Sequence, residues 1–239
     1  MATLPLDILG LAAHRDDVEQ TCGGTLLKMA QCGYRTGILD LTQGEMGTRG
    51  TADDRAREAA EAARILQASW RAALDIPDGR VENTWDNRLK VARVIRETRP
   101  RVLILPYWKG RHPDHYTASI LGYEACFLAG LGKLDLGAAP HRPFKIIYAT
   151  LYYDVRPTFI VDISDQFETR FQSLMAYKSQ YQDQAAGSEL FPAQAEIRAR
   201  VEAMARHYGL LAGVTYGEPF LQKEIGLVED LTLIPVASI

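Results

Sequence analysis

Two short, almost wholly apolar runs most constrain what this 239-residue chain can fold into: Leu6–Ala13 (LDILGLAA) and Arg101–Tyr107 (RVLILPY). Each is too short for an ordinary helix and is followed by a turn and a helical pattern. Such runs read as strands buried on both faces, as in a parallel sheet. Weaker strand patterns cover Tyr34–Thr42, Arg71–Ile76, Phe144–Tyr152 and Thr158–Ile163. Helical patterns lie between them, over Val18–Gly33, Asp53–Ala68, Asn83–Thr98 and Pro113–Gly130. A helix capped by Ser164 or Asp165 should run to Gln182, and another should cover Ala193–Leu211. Gln184–Pro192 reads as a loop, and the tail from Gly213 as irregular with a short strand at Thr232–Val236. The alternation predicts an α/β fold: a Rossmann-like, mostly parallel sheet flanked by helices on both faces. Without repeats or a linker, the expectation is one domain over residues 1–239, with strand order 3-2-1-4-5-6.

The charge balance narrows the partners. A formal net charge of −3 gives no basic surface for nucleic acid or for an anionic membrane. No apolar run approaches a membrane span, and Pro5 and Asp7 interrupt any signal-like core at the start. The three cysteines, Cys22, Cys32 and Cys126, lack paired metal spacing. They read as reduced thiols, and the protein as cytoplasmic.

The chemistry concentrates where the two strongest strands end. Ala13-His14-Arg15-Asp16-Asp17 follows the first, and His112-Pro113-Asp114-His115 lies just beyond the second. In an open parallel sheet, ligands bind beyond the carboxyl ends of the strands where the strand order reverses. Strands 1 and 4 are neighbours at that point, so the two clusters should meet. His14 and Asp17, three apart at a strand-to-helix turn, can face one ion, and His115 can supply a third ligand. Two histidines and a carboxylate suit Zn2+, one per chain, with an open coordination position; Fe2+ fits the same set. Asp16 is then a carboxylate beside the metal and the candidate general base. His112 is placed to stabilise an oxyanion or protonate a leaving amine, with Asp114 accepting its ring N–H and raising its pKa.

Other features carry weaker signals. Cys22-Gly23-Gly24-Thr25 lacks the glycine fingerprints of phosphate loops and reads as close packing of helix on sheet. The Gly44–Gly50 loop is either a flexible turn or a cover over substrate, with Arg49 or Arg55 contacting an anionic group. His207 reads as structural, and the spacing of His141 says nothing.

With both clusters in hand, the sequence resembles the LmbE-like (PIG-L) family of zinc-dependent N-acetylglucosamine deacetylases. The family pattern is Ala-His-Pro-Asp-Asp with a later His-Pro-Asp-His, matched by Ala13–Asp17 and His112–His115. The likeness continues through Gly23-Gly24-Thr25, Leu41-Thr42 and the helix bearing Arg55, Glu58 and Ala59. Finer likeness to the branch acting on N-acetylglucosaminyl malate, in bacillithiol biosynthesis, lies in four segments: Arg111–His115, His141-Arg142-Pro143, Leu174–Gln180 and Tyr216–Phe220. The resemblance implies the roles already read from the residues: His14, Asp17 and His115 as metal ligands, Asp16 as base, and His112 with Asp114 at the oxyanion. It also implies Arg55 near the substrate, a small sugar substrate and a homo-oligomer.

One residue departs from the pattern. Arg15 stands where the family has proline, losing a stiff turn and adding a positive charge beside Asp16. Turned inward it would lower the pKa of Asp16; the expectation is that it points to solvent. The predicted reaction is attack of metal-activated water, deprotonated by Asp16, on an acetamide carbonyl. The alternatives are a deacetylase of another N-acetylated sugar such as diacetylchitobiose, or a non-catalytic metal- or sugar-binding module. A nucleotide-binding dehydrogenase is disfavoured by the missing glycine fingerprint.

Overall fold

The first apolar run becomes β1 (Ile8–Ala12), and its residues divide between two cores. Leu9 and Leu11 pack with Ile95, Ala118 and Leu121 on one face; Ile8 and Ala12 pack with Val18, Leu26 and Leu27 on the other. This period-two division is why the run is apolar throughout. The first face is covered by α4 (Trp85–Thr98) and α5 (Pro113–Ala129), the second by α1 (Asp17–Thr21) and α2 (Gly23–Gln31). The computed structural model describes residues 5–181 and 194–236. The loop expected over Gln184–Pro192 lies outside them.

The remaining strands are β2 (Thr36–Asp40), β3 (Trp70–Ala73), β4 (Val102–Pro106), β5 (Lys145–Ala149), β6 (Phe159–Asp162) and β7 (Gly217–Leu221). They form one seven-stranded sheet in the order β3-β2-β1-β4-β5-β7-β6. β1 pairs in parallel with β2 on one side and β4 on the other. The helices following β1 and β4 lie on opposite faces, so a crevice opens between those strands, as the alternation predicted.

Three expectations are corrected. The helix over Val18–Gly33 divides at Cys22, whose φ of −142° is not helical. The helix over residues 164–182 becomes α6 (Phe167–Met175) and α7 (Lys178–Tyr181), and neither Ser164 nor Asp165 caps it. The Ser164 amide and hydroxyl both donate to the Asp162 carboxylate at the end of β6 instead. The tail is not irregular throughout: β7 enters the sheet between β5 and β6, antiparallel to both, while Leu231–Leu233 forms a short 3-10 turn in place of the expected strand.

β7 has poor strand composition, and tertiary contacts explain it. Pairing with β5 covers only Leu221 and Phe220, so it ends before Pro219, which has no N–H to give. Glu218 is buried, and its carboxylate accepts from the Gly24 amide at 2.9 Å, the Thr25 amide at 2.7 Å and the Thr25 hydroxyl at 2.6 Å. Arg170, from α6, approaches the same carboxylate at 3.1 Å. The amino end of α2 therefore already holds an anion, a side chain of this chain, and the Gly-Gly-Thr segment is a packing feature. A Cβ on Gly24 would lie 2.9 Å from the Glu218 carboxylate and 3.0 Å from Ile163.

Glu218→Ala would leave two helix-end amides buried without their acceptor and the Arg170 guanidinium, held otherwise by the Glu19 and Gln20 carbonyls, without its counter-charge. A loss of about 3–5 kcal/mol in unfolding free energy is expected, read from urea denaturation followed by circular dichroism. A loss below about 1 kcal/mol, the scale of an exposed ion pair, would count against the carboxylate as the anchor of β7.

Candidate functional site

His14, Asp16 and Asp17 sit on the tight turn from β1 into α1, and His112, Asp114 and His115 at the start of α5. The crevice brings all six together. His14 Nδ1 lies 3.1 Å from His115 Nε2 and 3.3 Å from Asp17 Oδ2, and His115 Nε2 lies 3.2 Å from Asp17 Oδ1. Donors of a tetrahedral ion bound at ~2.0–2.1 Å are separated by about 3.3 Å. The spacing and the nitrogen–oxygen donor set therefore fit such an ion. Electrostatics agree. Burial disfavours charge on His14, yet Asp17, Asp114 and Asp78 push its pKa up to about 12. Asp17 is buried as well, but His115 and His14 hold its pKa well below the usual carboxylate range. The pocket is built to hold positive charge.

The other nitrogen of His14 faces a second layer. His14 Nε2 is 3.1 Å from Asp78 Oδ1 and 3.3 Å from Asp114 Oδ2. Metal-bound histidines commonly donate their second ring N–H to a carboxylate, which fixes the ring. Other donor groupings within 4.8 Å of one another are His14, Asp78 and Asp114, and His14, His112 and His115. One imidazole cannot direct both nitrogens at one ion, so the Asp78–Asp114 side reads as support when Nδ1 faces the ion. Asp78 was missed in the sequence. The available signal was position: Pro77-Asp78-Gly79 follows β3 at the same sheet edge.

Asp114 departs from its expected role. Its carboxylate turns to His14 and accepts from the Gly79 amide at 2.8 Å and the Val81 amide at 3.3 Å, so it also fastens the loop bearing Asp78. Among the described residues His112 receives only the Asp114 backbone amide, at 3.2 Å on Nδ1. With Nδ1 accepting, the proton of a neutral His112 belongs on Nε2. Its pKa is lowered, not raised, through burial and the nearby His14 and His115.

Asp16 is held by three donors: Arg55 Nη2 at 3.1 Å, the Tyr181 hydroxyl at 2.6 Å and Gln20 Nε2 at 3.3 Å. Arg55 is buried, and the carboxylates around it, Asp16 foremost, keep it charged against that burial. Gly44 and Gly47 pack on its guanidinium, where a Cβ would come within 3.1 and 3.3 Å. This accounts for two of the three glycines of the loop read as either a turn or a cover over substrate, the third, Gly50, packing against Ser179. Arg49 is buried too, and its Nη1 donates to the Gln180 carbonyl at 3.1 Å, so it fastens α7 instead of facing the crevice.

Arg15 follows neither course foreseen for it. It is buried, and its Nη1 donates at 2.8 Å to the carbonyl of Ala52, the first residue of α3 (Ala52–Ile65). Its own carbonyl accepts from Arg71 Nη2 at 2.7 Å. Arg71 also grips both oxygens of Asp40, at 2.8 and 3.0 Å, and Glu19 Oε1 at 2.6 Å. Burial pushes Glu19 up to about 7 despite that contact. His141 has a structural place after all, its Nε2 lying 2.8 Å from the Pro100 carbonyl. His207 stacks edge-on against Tyr208, away from the site.

Comparison with known proteins places the fold that carries these residues. A family model described as PIG-L, GlcNAc-PI de-N-acetylase, matches residues 9–126. The chain is 32% identical to the diacetylchitobiose deacetylase of Thermococcus kodakarensis over 227 residues, covering 88% of this chain and 80% of that protein. The conserved protein TT1542 of Thermus thermophilus superposes with a TM-score of 0.85 at 39% identity, over 94% of this chain and 98% of that one. The N,N'-diacetylchitobiose deacetylase of Pyrococcus horikoshii, in complex with an inhibitor, gives 0.79 at 25% identity, over 89% and 82%.

Two substitutions test the layering of the site. His14→Ala should abolish bound metal in elemental analysis of the purified protein. Asp78→Asn should keep the metal but weaken its affinity by roughly 10–100-fold in a chelator competition titration. Unchanged affinity in the Asp78 variant would remove that residue from the support of His14.

Proposed function

The chain belongs to the PIG-L family of de-N-acetylases, and from that premise we propose that this enzyme removes the acetyl group from an N-acetylglucosamine conjugate at the crevice. The observation that carries the reading is the convergence of His14, Asp17 and His115 with Asp16 held beside them. We read the whole chain as one deacetylase domain.

The ligands proposed for the metal are His14, Asp17 and His115. The donor set favours zinc, and iron(II) is the alternative. Bound there, the ion would lower the pKa of water and polarise the acetamide carbonyl. The remaining work belongs to side chains. A carboxylate offers about four acceptor sites; Arg55, Tyr181 and Gln20 occupy three on Asp16, leaving one for the proton of the attacking water. The same three donors would keep Asp16 from swinging onto an ion held by His14, Asp17 and His115. His112, whose Nδ1 accepts from the Asp114 amide and leaves the ring proton on Nε2, would supply a hydrogen bond to the oxygen on which negative charge develops. The proton taken by Asp16 then goes to the leaving amine, and acetate and the free amine result.

Within this class, the substrate we propose is N-acetylglucosaminyl malate. The segments Arg111–His115 and Tyr216–Phe220 support it by their likeness to that branch of the family. Diacetylchitobiose is the second reading, and the identity to the Thermococcus enzyme favours it. Among the described residues no helix is long and apolar enough to cross a membrane. The aliphatic residues of the tail, with Ile225 99% and Leu227 90% exposed, support the homo-oligomer expected from the sequence.

Acetate release from both substrates at matched concentration, with and without added zinc, tests the reading. Asp16→Asn should retain metal and lose about 10²–10⁴-fold in kcat. Turnover within threefold of the parent enzyme would sink Asp16 as the base.

A further inference from the structure

The two arginines that the sequence offered to an anionic substrate both turn inward, yet the site keeps a cationic annex. A cleft of about 520 Å³ adjoins the crevice, lined by Arg111, Tyr152, Tyr181, Ile197, Arg200 and Met204. Its wall is continuous with the centre. The Tyr181 hydroxyl is the one that donates to Asp16, and the Tyr152 hydroxyl donates at 2.8 Å to Gln20, the third partner of Asp16. Arg111 immediately precedes His112. Among the described residues no carboxylate lines this cleft, whereas the crevice beside it holds Asp16, Asp17, Asp78 and Asp114.

We propose that this cleft is the subsite for a carboxylate-bearing aglycone, the part of the substrate beyond the acetamido sugar, with Arg111 as its principal contact. Arg111 is exposed and makes no ion pair among the described residues; its guanidinium lies 5.6 Å from the centre of the Tyr152 ring. An arginine stacked on an aromatic face keeps its planar fork free for two parallel hydrogen bonds to a carboxylate. Arg200, in α8 (Gln194–Ala212), pairs with Glu196 one turn away. An exposed pair of that kind is weak and yields readily to an incoming anion. Tyr152 carries both the stacking face and the link to Gln20, and it does so with a φ of 51°, in the left-handed region. Such backbone is costly for a side chain of this size and persists where surrounding contacts impose it. The volume suits a small acid and a sugar ring edge.

The inference rests on the deacetylase reading and decides between its two substrates, since diacetylchitobiose has no charge for the cleft to hold. The test compares N-acetylglucosaminyl malate with the neutral methyl glycoside of N-acetylglucosamine. The parent enzyme should prefer the malate conjugate in kcat/KM. Arg111→Gln should reduce that preference at least tenfold, chiefly through KM, and Arg111→Lys should restore part of it. Arg200→Gln should reduce it less. A preference that survives Arg111→Gln, or a parent enzyme indifferent to the aglycone charge, overturns the subsite and leaves the deacetylase reading standing. Absence of acetate release from both compounds and from diacetylchitobiose overturns the deacetylase reading instead. Calorimetric binding of the malate conjugate then still tests the cleft: it should weaken at least tenfold in Arg111→Gln, and equal affinity overturns it.

Discussion

The turn that carries His14, Asp16 and Asp17 is shaped by one buried guanidinium. Arg71 reaches from β3 under β2 to Asp40, across to Glu19 in α1, and up to the carbonyl of Arg15. It also touches the Ala59 carbonyl in α3 at 3.3 Å. Five donors in a fixed plane can hold that many elements; an ammonium could not. A buried ion pair contributes little net stability, because desolvation offsets most of its attraction. What the Arg71 cluster supplies is position. Nothing else in the described residues ties the backbone between the proposed ligand and the proposed base to the sheet.

This explains how the turn is held with Arg15 at the position where the resembled family pattern has proline. Proline restricts a turn by covalent geometry. Here the same residue is clamped at both ends, its carbonyl by Arg71 and its guanidinium by the Ala52 carbonyl. The positive charge feared for Asp16 is drawn away toward the amino end of α3. Asp16 is served by Arg55 instead, from the same helix. Two arginines have exchanged tasks that a sequence pattern would assign by proximity.

The alternating frame was legible in the sequence because burial on both faces leaves a plain trace: β1 and β4 are apolar runs, and β2 and β5 carry shorter apolar stretches. The convergence of the two clusters followed from that frame. β7 was not legible, since Gly217, Glu218 and Pro219 are each unfavourable in a strand. Their reasons are nonlocal. Gly217 has no room for a Cβ beside Ile160, Glu218 holds the end of α2, and Pro219 sits where pairing with β5 has ended. The division of Val18–Gly33 at Cys22 is the same contact seen from the other side. Within the site, residue types and spacing gave the nitrogen and oxygen donors. They could not give the direction of Asp114, which depends on the loop after β3, nor reveal Asp78, which has no partner nearby in sequence.

The layout of charge follows from these constraints. His14 has two nitrogens and two neighbourhoods: an inner one of Asp17 and His115, and an outer one of Asp78 and Asp114. Concentrating so many carboxylates around one ring raises the affinity of the centre for a cation and would repel an anionic substrate group at close range. A substrate with a carboxylate can approach only if that group is directed elsewhere. Beyond Tyr152 and Tyr181, the charged side chains among the described residues that line the cleft are Arg111 and Arg200. On the proposed subsite, the acetamide of such a substrate would face the acidic centre because its acid could not, and charge would set the orientation before any hydroxyl of the sugar is recognised.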